Sequence, residues 1–225
     1  MSAASEALVW IDCEMTGLDL ANDALVEVAA LVTDSDLNVL GKGVDIIIKP
    51  SDEALAQMGD FVREMHTKSG LLEELAGGTT MREAEEQVLA YIREYVPVAR
   101  KAPLAGNTIG TDRMFLARDM PELEGWVHYR NVDVSSIKEL SRRWFPKAYY
   151  HSPAKSGNHR ALADIQESIE ELRYYREAVF VPAPGPATQD ARIISRKHQG
   201  ALTGAVAGDV STAAGAEGED ENPGA

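Results

Sequence analysis

The sequence predicts an α/β protein built on a mixed β-sheet with helices on its faces. Two observations predict it. Three apolar, strand-like runs come first, at 8–15, at 25–33, and at Val39 with Val44 to Ile48. Segments of helical and strand periodicity then alternate, so an opening three-stranded antiparallel meander is joined by further strands and flanked by helices. The 225 residues are 44% hydrophobic and 26% charged, enough for one well-buried domain.

Leu8 to Met15 reads as a central strand, followed by Leu25 to Thr33 and the turn-forming cluster Asp34-Ser35-Asp36. Short helices are expected over 51–76, where Leu71, Leu72 and Leu75 share a helical face. Thr80 and Glu83 have capping-box spacing, and Met81, Ala84, Val88, Ile92 and Tyr95 recur every three or four residues. A helix over 81–96, closed by Pro97, follows. Leu104 to Gly106 is a short strand leading into a helix near 111–118, and Tyr129 to Val134 is another strand. Ser136 and Glu139 are expected to cap the helix that reaches Phe145. After an irregular stretch over 146–157, Ile165, Ile169, Leu172 and Tyr175 mark the last strong helix.

These elements set a domain over 1–182. Beyond it the composition turns to Pro, Ala and Gly, so 183–225 is expected to lie outside the packed domain as an acidic extension, with 205–225 disordered. The single cysteine excludes an internal disulfide framework and fits a reducing cytoplasm. The first residues lack the basic start and apolar core of a signal peptide, and no apolar stretch nears the ~20 residues that span a bilayer. A cytoplasmic protein with no membrane partner is therefore expected. The formal charge of −14 argues against tracking along a long nucleic acid. It leaves room for a short nucleotide held by metal ions and a few basic groups.

Asp12 and Glu14 interrupt an apolar strand. Residues i and i+2 of a strand share a face, so the two carboxylates project together while Cys13 turns away as a small buried hydrophobe. Two buried carboxylates repel and lose hydration unless a cation compensates, which points to a divalent-metal site. Asp112 at a helix start, and His159 followed five residues on by Asp164, supply further ligands and a base. Two Mg2+ or Mn2+ ions fit an oxygen-rich set, with Asp12 bridging, Glu14 and Asp164 on one ion and Asp112 on the other or its water. A neutral His159 imidazole can take a proton from the attacking water. Gly157 leaves its approach flexible, and the loop at Lys155 could close over substrate or simply be solvated.

The order Asp-x-Glu, a middle Asp and His-x4-Asp resembles the DEDDh exonuclease superfamily. Within it, Trp-Ile-Asp-Cys-Glu-Met-Thr-Gly-Leu-Asp (10–19), Ala-Gly-Asn-Thr-Ile-Gly-Thr-Asp-Arg (105–113), His-Tyr-Arg-Asn-Val-Asp-Val-Ser (128–135) and Asn-His-Arg-Ala-Leu-Ala-Asp-Ile (158–165) are similar to the oligoribonuclease family. The similarity spans roughly 6–181. It implies a ribonuclease-H-like fold, two divalent metals and 3′→5′ hydrolysis of very short RNA, chiefly dinucleotides, to nucleoside 5′-monophosphates. It also implies that Leu18 wedges between the two bases and that Phe61, where the family carries tryptophan, stacks on one of them. Thr108, where the family often has serine, Arg130 and Ser135 would cap the 5′ phosphate. Tyr129 and His66 resemble residues acting across a two-fold homodimer interface, the tyrosine reaching into the partner's site. Trp10, Trp126 and Trp144 read as packing residues. Two alternatives stay open: a related nuclease acting on single-stranded DNA or RNA 3′ ends, and a non-catalytic dinucleotide-binding protein.

Overall fold

The computed structural model describes residues 6–154 and 159–200. Five strands, β1 (Leu8–Met15), β2 (Leu25–Thr33), β3 (Val39–Ile47), β4 (Pro103–Gly106) and β5 (His128–Asp133), form one sheet in the order β3-β2-β1-β4-β5. The first three are antiparallel, and β4 and β5 run parallel to β1. This is the mixed α/β sheet that the sequence predicts.

Every residue of β2 is buried, because β2 has strands on both sides and packed layers on both faces. That position explains a continuous apolar run in place of alternation. On β1 the alternation is explicit. Val9, Ile11, Cys13 and Met15 enter the larger core with Ala84, Val88 and Ile92 of α4 (Met81–Tyr95), and with Phe115 and Leu116 of α5 (Ile109–Asp119). Trp10 joins the opposite core, against Ala161, Ile165 and Ile169 of α9 (Ala161–Ala178), and its indole N–H donates to Thr33 Oγ1 at 3.0 Å. Asp12 and Glu14 keep the parity of Trp10 and emerge on the α9 face. Replacing Ile165 or Phe115 by Ala would cost about 2–5 kcal/mol, since each is held in a closed core.

Short helices α1 (Asp52–Gln57), α2 (Asp60–Lys68) and α3 (Leu71–Glu74) enclose a smaller cluster of Val26, Met58, Leu71 and Leu75. The capping box at Thr80 and Glu83 forms as expected at the head of α4. Helix α6 (Pro121–Trp126) lies between α5 and β5, and α7 (Val134–Trp144) begins earlier than expected. Its cap is Asp133, whose carboxylate accepts the Ser135 N–H at 2.9 Å, whereas Ser136 donates its hydroxyl to Asp133 and Glu139 pairs with Arg142 and Arg143. An aspartate at the strand end supplies the acceptor that the Ser136/Glu139 pattern was expected to provide. The stretch expected to be irregular contains α8 (Pro146–Tyr150), started by a proline at its first position. Trp144, expected to pack, is 65% exposed.

The chain divides into two units, Met1–Phe180 and Val181–Ala225. The second contains α10 (Thr188–His198), a helix its Pro- and Gly-rich surroundings did not signal. The expected disorder of 205–225, and the expectations for Lys155 and Gly157, lie outside the described residues. Among the described residues no helix is long and apolar enough to cross a membrane.

Candidate active site

A cleft of about 430 Å³ opens at the C-terminal end of β1, and Asp12, Glu14, Asp112, His159 and Asp164 all line it. One ligand atom each from Glu14, His159 and Asp164 lie within 4.8 Å of one another. Bonds of ~2.1 Å place the ligands of one hard cation within about 4.2 Å of each other, so small movements suffice to gather these three groups on an ion.

The sheet creates this cleft by splitting. Among the described residues β4 pairs with β1 only at Val9 and Trp10, and the far half of that β1 edge has no strand beside it. At Gly106 a Cβ would stand 2.9 Å from the Ile11 carbonyl, so this point of divergence takes no side chain. Past it, Thr108 adopts φ +54° and α5 begins. Asp112, in the first turn of α5, accepts the backbone N–H of Cys13 at 3.0 Å. The middle acid of the motif thus fills the hydrogen-bond position left by the short strand.

Electrostatics mark the same point. Glu14 is 8% exposed. Burial, and then the nearby charges of Glu27, Asp164 and Asp112, push its carboxyl up to about 8. Burial raises Asp112 to about 6, against the pull of the Cys13 N–H. Burial, and then the nearby charges of Asp112, Asp12 and Glu14, raise the Cys13 thiol, which fits a buried hydrophobe. Carboxylates that resist ionisation alone, beside an imidazole, form a donor set suited to a hard divalent ion. The residues therefore fit the metals that the motif implies.

The remaining expected residues fall in three places. Leu18 lines the cleft and is 75% exposed, on a loop pinned by Asp23. Asp23 accepts the Thr16 hydroxyl and the Asp19 N–H, both at 2.8 Å, and a Cβ on Gly17 would lie 2.4 Å from its carboxylate. Phe61, 80% exposed, lines an adjacent cavity of about 620 Å³ with Met65, Lys68, His159 and Arg160. Thr108 and Ser135 meet with their hydroxyls 3.1 Å apart, tied through Asn107 to Ser168. Arg130 lies on the exposed strand β5, its guanidinium 5.5 Å from the centre of the Tyr129 ring.

His66 requires a correction. Its side chain has no exposed surface, so within this fold it reaches no partner. It donates Nε2–H to the Met15 carbonyl at 2.8 Å, leaving Nδ1 3.9 Å from Glu14 and, among the described residues, without a hydrogen-bond partner. Burial lowers the pKa of this imidazole and so favours its neutral form. An amphipathic helix face turned a histidine inward, which its spacing alone did not reveal.

Residues that the sequence reading passed over include Glu27, Glu74 and Arg160, which join β2 to the head of α9. The signal for Glu27 was present: it is an acid inside an apolar run, as Asp12 and Glu14 are.

Known proteins resemble this chain along most of its length. The exonuclease family of RNase T type matches residues 9–172. An oligoribonuclease of Cutibacterium acnes is 71% identical over 198 residues, 88% of this chain and 98% of that protein. One from Streptomyces griseus is 70% identical over 193 residues, covering 86% and 96%, and one from Mycobacterium ulcerans is 58% identical over 196, covering 87% and 91%. Among solved structures, an exonuclease I matches with a TM-score of 0.62 at 15% identity, covering 77% of this chain and 41% of that one. Escherichia coli exonuclease I with a dA16 oligonucleotide matches with a TM-score of 0.59 at 16% identity, covering 77% and 41%. At these identities the structural likeness carries the ribonuclease-H-like fold.

Proposed function

The chain belongs to the oligoribonuclease family of exonucleases, enzymes that hydrolyse short RNA from the 3′ end, and on that premise we propose that its chief substrate is a dinucleotide, cleaved by the Asp12, Glu14, Asp112, Asp164 and His159 constellation. The observation that carries this reading is the gathering of all five side chains on one small cleft. The family uses divalent metal ions, and we assign the four carboxylates as the residues that would hold two of them, Mg2+ or Mn2+. When bound, such ions stabilise the developing charge on the leaving oxygen and acidify the attacking water.

The chain's own residues do the rest. Asp112 is held by the Cys13 N–H before substrate arrives, so its carboxylate needs little reorganisation. His159, exposed at the cleft edge, takes the proton of the attacking water as the P–O3′ bond breaks. The products are a nucleoside 5′-monophosphate and a chain shorter by one nucleotide. Leu18 and Phe61 are apolar side chains standing in water at the cleft and its neighbouring cavity, which suits base wedging and stacking. The Thr108 and Ser135 hydroxyls with Arg130 supply donors for a terminal 5′ phosphate. A cap there closes the site behind two nucleotides and explains how an acidic protein selects short substrates.

A homodimer completes the reading. Tyr129 is 67% exposed and lines neither cavity among the described residues, which suits a side chain that acts in a partner's site. Leu140 and Trp144 on α7, Phe145 between the helices and Tyr150 on α8 are also exposed and offer apolar surface for self-association. Residues 1–182 are proposed as the catalytic domain, with 183–225 as an extension, and a cytoplasmic setting fits the free buried cysteine.

The test is direct. Protein with Mn2+ should convert a 5′-phosphorylated diribonucleotide entirely to monophosphates, and chelation should stop it. Tight dinucleotide binding with metal present and no hydrolysis would overturn the reading.

A further inference from the structure

Glu27 and Glu14 stand directly opposite each other in the β1–β2 register, and opposed residues of an antiparallel pair share a face. Glu27 is therefore a further acid beside the cleft, with no exposed surface of its own. Its carboxylate is already committed. One oxygen accepts Arg160 Nε at 2.9 Å and the other accepts the Ala161 N–H at 3.3 Å. The two Nη groups of the same guanidinium each bond one oxygen of Glu74 at 3.2 Å.

This arrangement supplies what the local sequence lacks. Arg160 occupies the cap position of α9 and makes no side-chain cap hydrogen bond, so the carboxylate that serves the helix start comes from β2. Arg160 also sits between two members of the constellation. Its carbonyl accepts the Asp164 N–H at 3.0 Å, and its N-terminal neighbour is His159. His159 has φ +49°, a left-handed conformation that disfavours a non-glycine residue and persists only where neighbours enforce it.

We propose that Glu27 and Arg160 are positioning residues for hydrolysis: their ion pair, extended to Glu74, clamps the strained His159 backbone against β2 and so aims the imidazole into the cleft. The proposal rests on His159 being the general base. The Asp164 bond to the Arg160 carbonyl is a backbone contact, so side-chain substitution of Arg160 leaves it in place and isolates the tether on His159.

The experiment measures kcat and KM on a 5′-phosphorylated diribonucleotide with saturating Mn2+, per folded enzyme. Arg160→Ala should lower kcat roughly 10- to 100-fold, as expected when a reacting group is misplaced by about an ångström. KM should stay within about threefold, since the phosphate cap, Leu18 and Phe61 are unaltered and Arg160, though it lines the Phe61 cavity, has its guanidinium engaged by Glu27 and Glu74. Arg160→Lys, which keeps the charge for Glu27 and loses the fork to Glu74, should fall between it and the parent. In a His159→Ala background Arg160→Ala should add almost nothing, because it acts through the missing ring. If Arg160→Ala does not fold, Glu27→Gln carries the same prediction for kcat, KM and the His159→Ala background. An undiminished kcat in Arg160→Ala, beside a disabled His159→Ala, would overturn the clamp and leave the base assignment standing. Full multiplicative losses in the double variant would overturn it too. An active His159→Ala would overturn the base assignment and the clamp with it.

Discussion

Asp112 accepts the backbone N–H of Cys13 at 3.0 Å, across the gap where β4 leaves β1. One side chain thereby serves both the sheet and the proposed metal site, and substitutions can separate the two roles. Asp112→Asn keeps an acceptor for that N–H and loses the charge. It should melt close to the parent while losing more than about 100-fold in turnover. Asp112→Ala orphans a buried donor and should destabilise by about 1–3 kcal/mol as well. Thermal melting and steady-state rates on both variants check this, and an active Asp112→Asn would remove the residue from the chemistry.

The raised carboxyls make metal-free stability depend on pH. Glu14 titrates near 8 when folded against an ordinary 4.5, and Asp112 near 6 against 3.8. The folded state therefore holds extra protons, and their stabilising contribution is lost as pH rises through these windows. The metal-free melting midpoint should fall between pH 6 and 8.5, and Glu14→Gln should flatten the fall. Mn2+ should raise the midpoint most at the alkaline end, because it binds the ionised form. A midpoint that climbs across that range without metal would contradict the placement of Glu14.

Phe61 offers a gain as well as a loss. Stacking of a base on an aromatic ring is worth about 1–3 kcal/mol, so Phe61→Ala should raise KM for dinucleotides roughly tenfold with kcat little changed. Phe61→Trp, with a larger face, should lower KM below the parent value. Initial rates over a substrate series read both, and a Phe61→Ala variant with parental KM would make the ring a bystander.

Arg130 tests length selection. Arg130→Ala removes the proposed donor to a terminal 5′ phosphate, so it should slow dinucleotide cleavage at least tenfold more than cleavage of a heptamer. Equal losses on both would mean that the guanidinium does not sense the end of the chain.

The legible parts of this protein were those with a local periodic signal. Apolar runs located β1 and β2, and the three-four spacing of Ala84, Val88 and Ile92 located α4. The acids at 12, 14, 112 and 164 were legible through motif order, which encodes a convergence that periodicity cannot. What stayed hidden depends on partners distant in sequence. His66 faces inward because the Met15 carbonyl lies 51 positions away, and Glu27 is tied to Arg160 across 133 positions. α7 started early for a nearer reason, because Asp133, a strand residue, doubles as its cap.

The most direct measurement is metal-dependent turnover of 5′-phosphorylated RNAs from two to seven nucleotides, each present alone at the same concentration. The account predicts that the dinucleotide is consumed fastest by a wide margin, that rates drop at three nucleotides and beyond, and that Asp12→Asn abolishes all of them. Rates that are level across the series, or that rise with length, would contradict it.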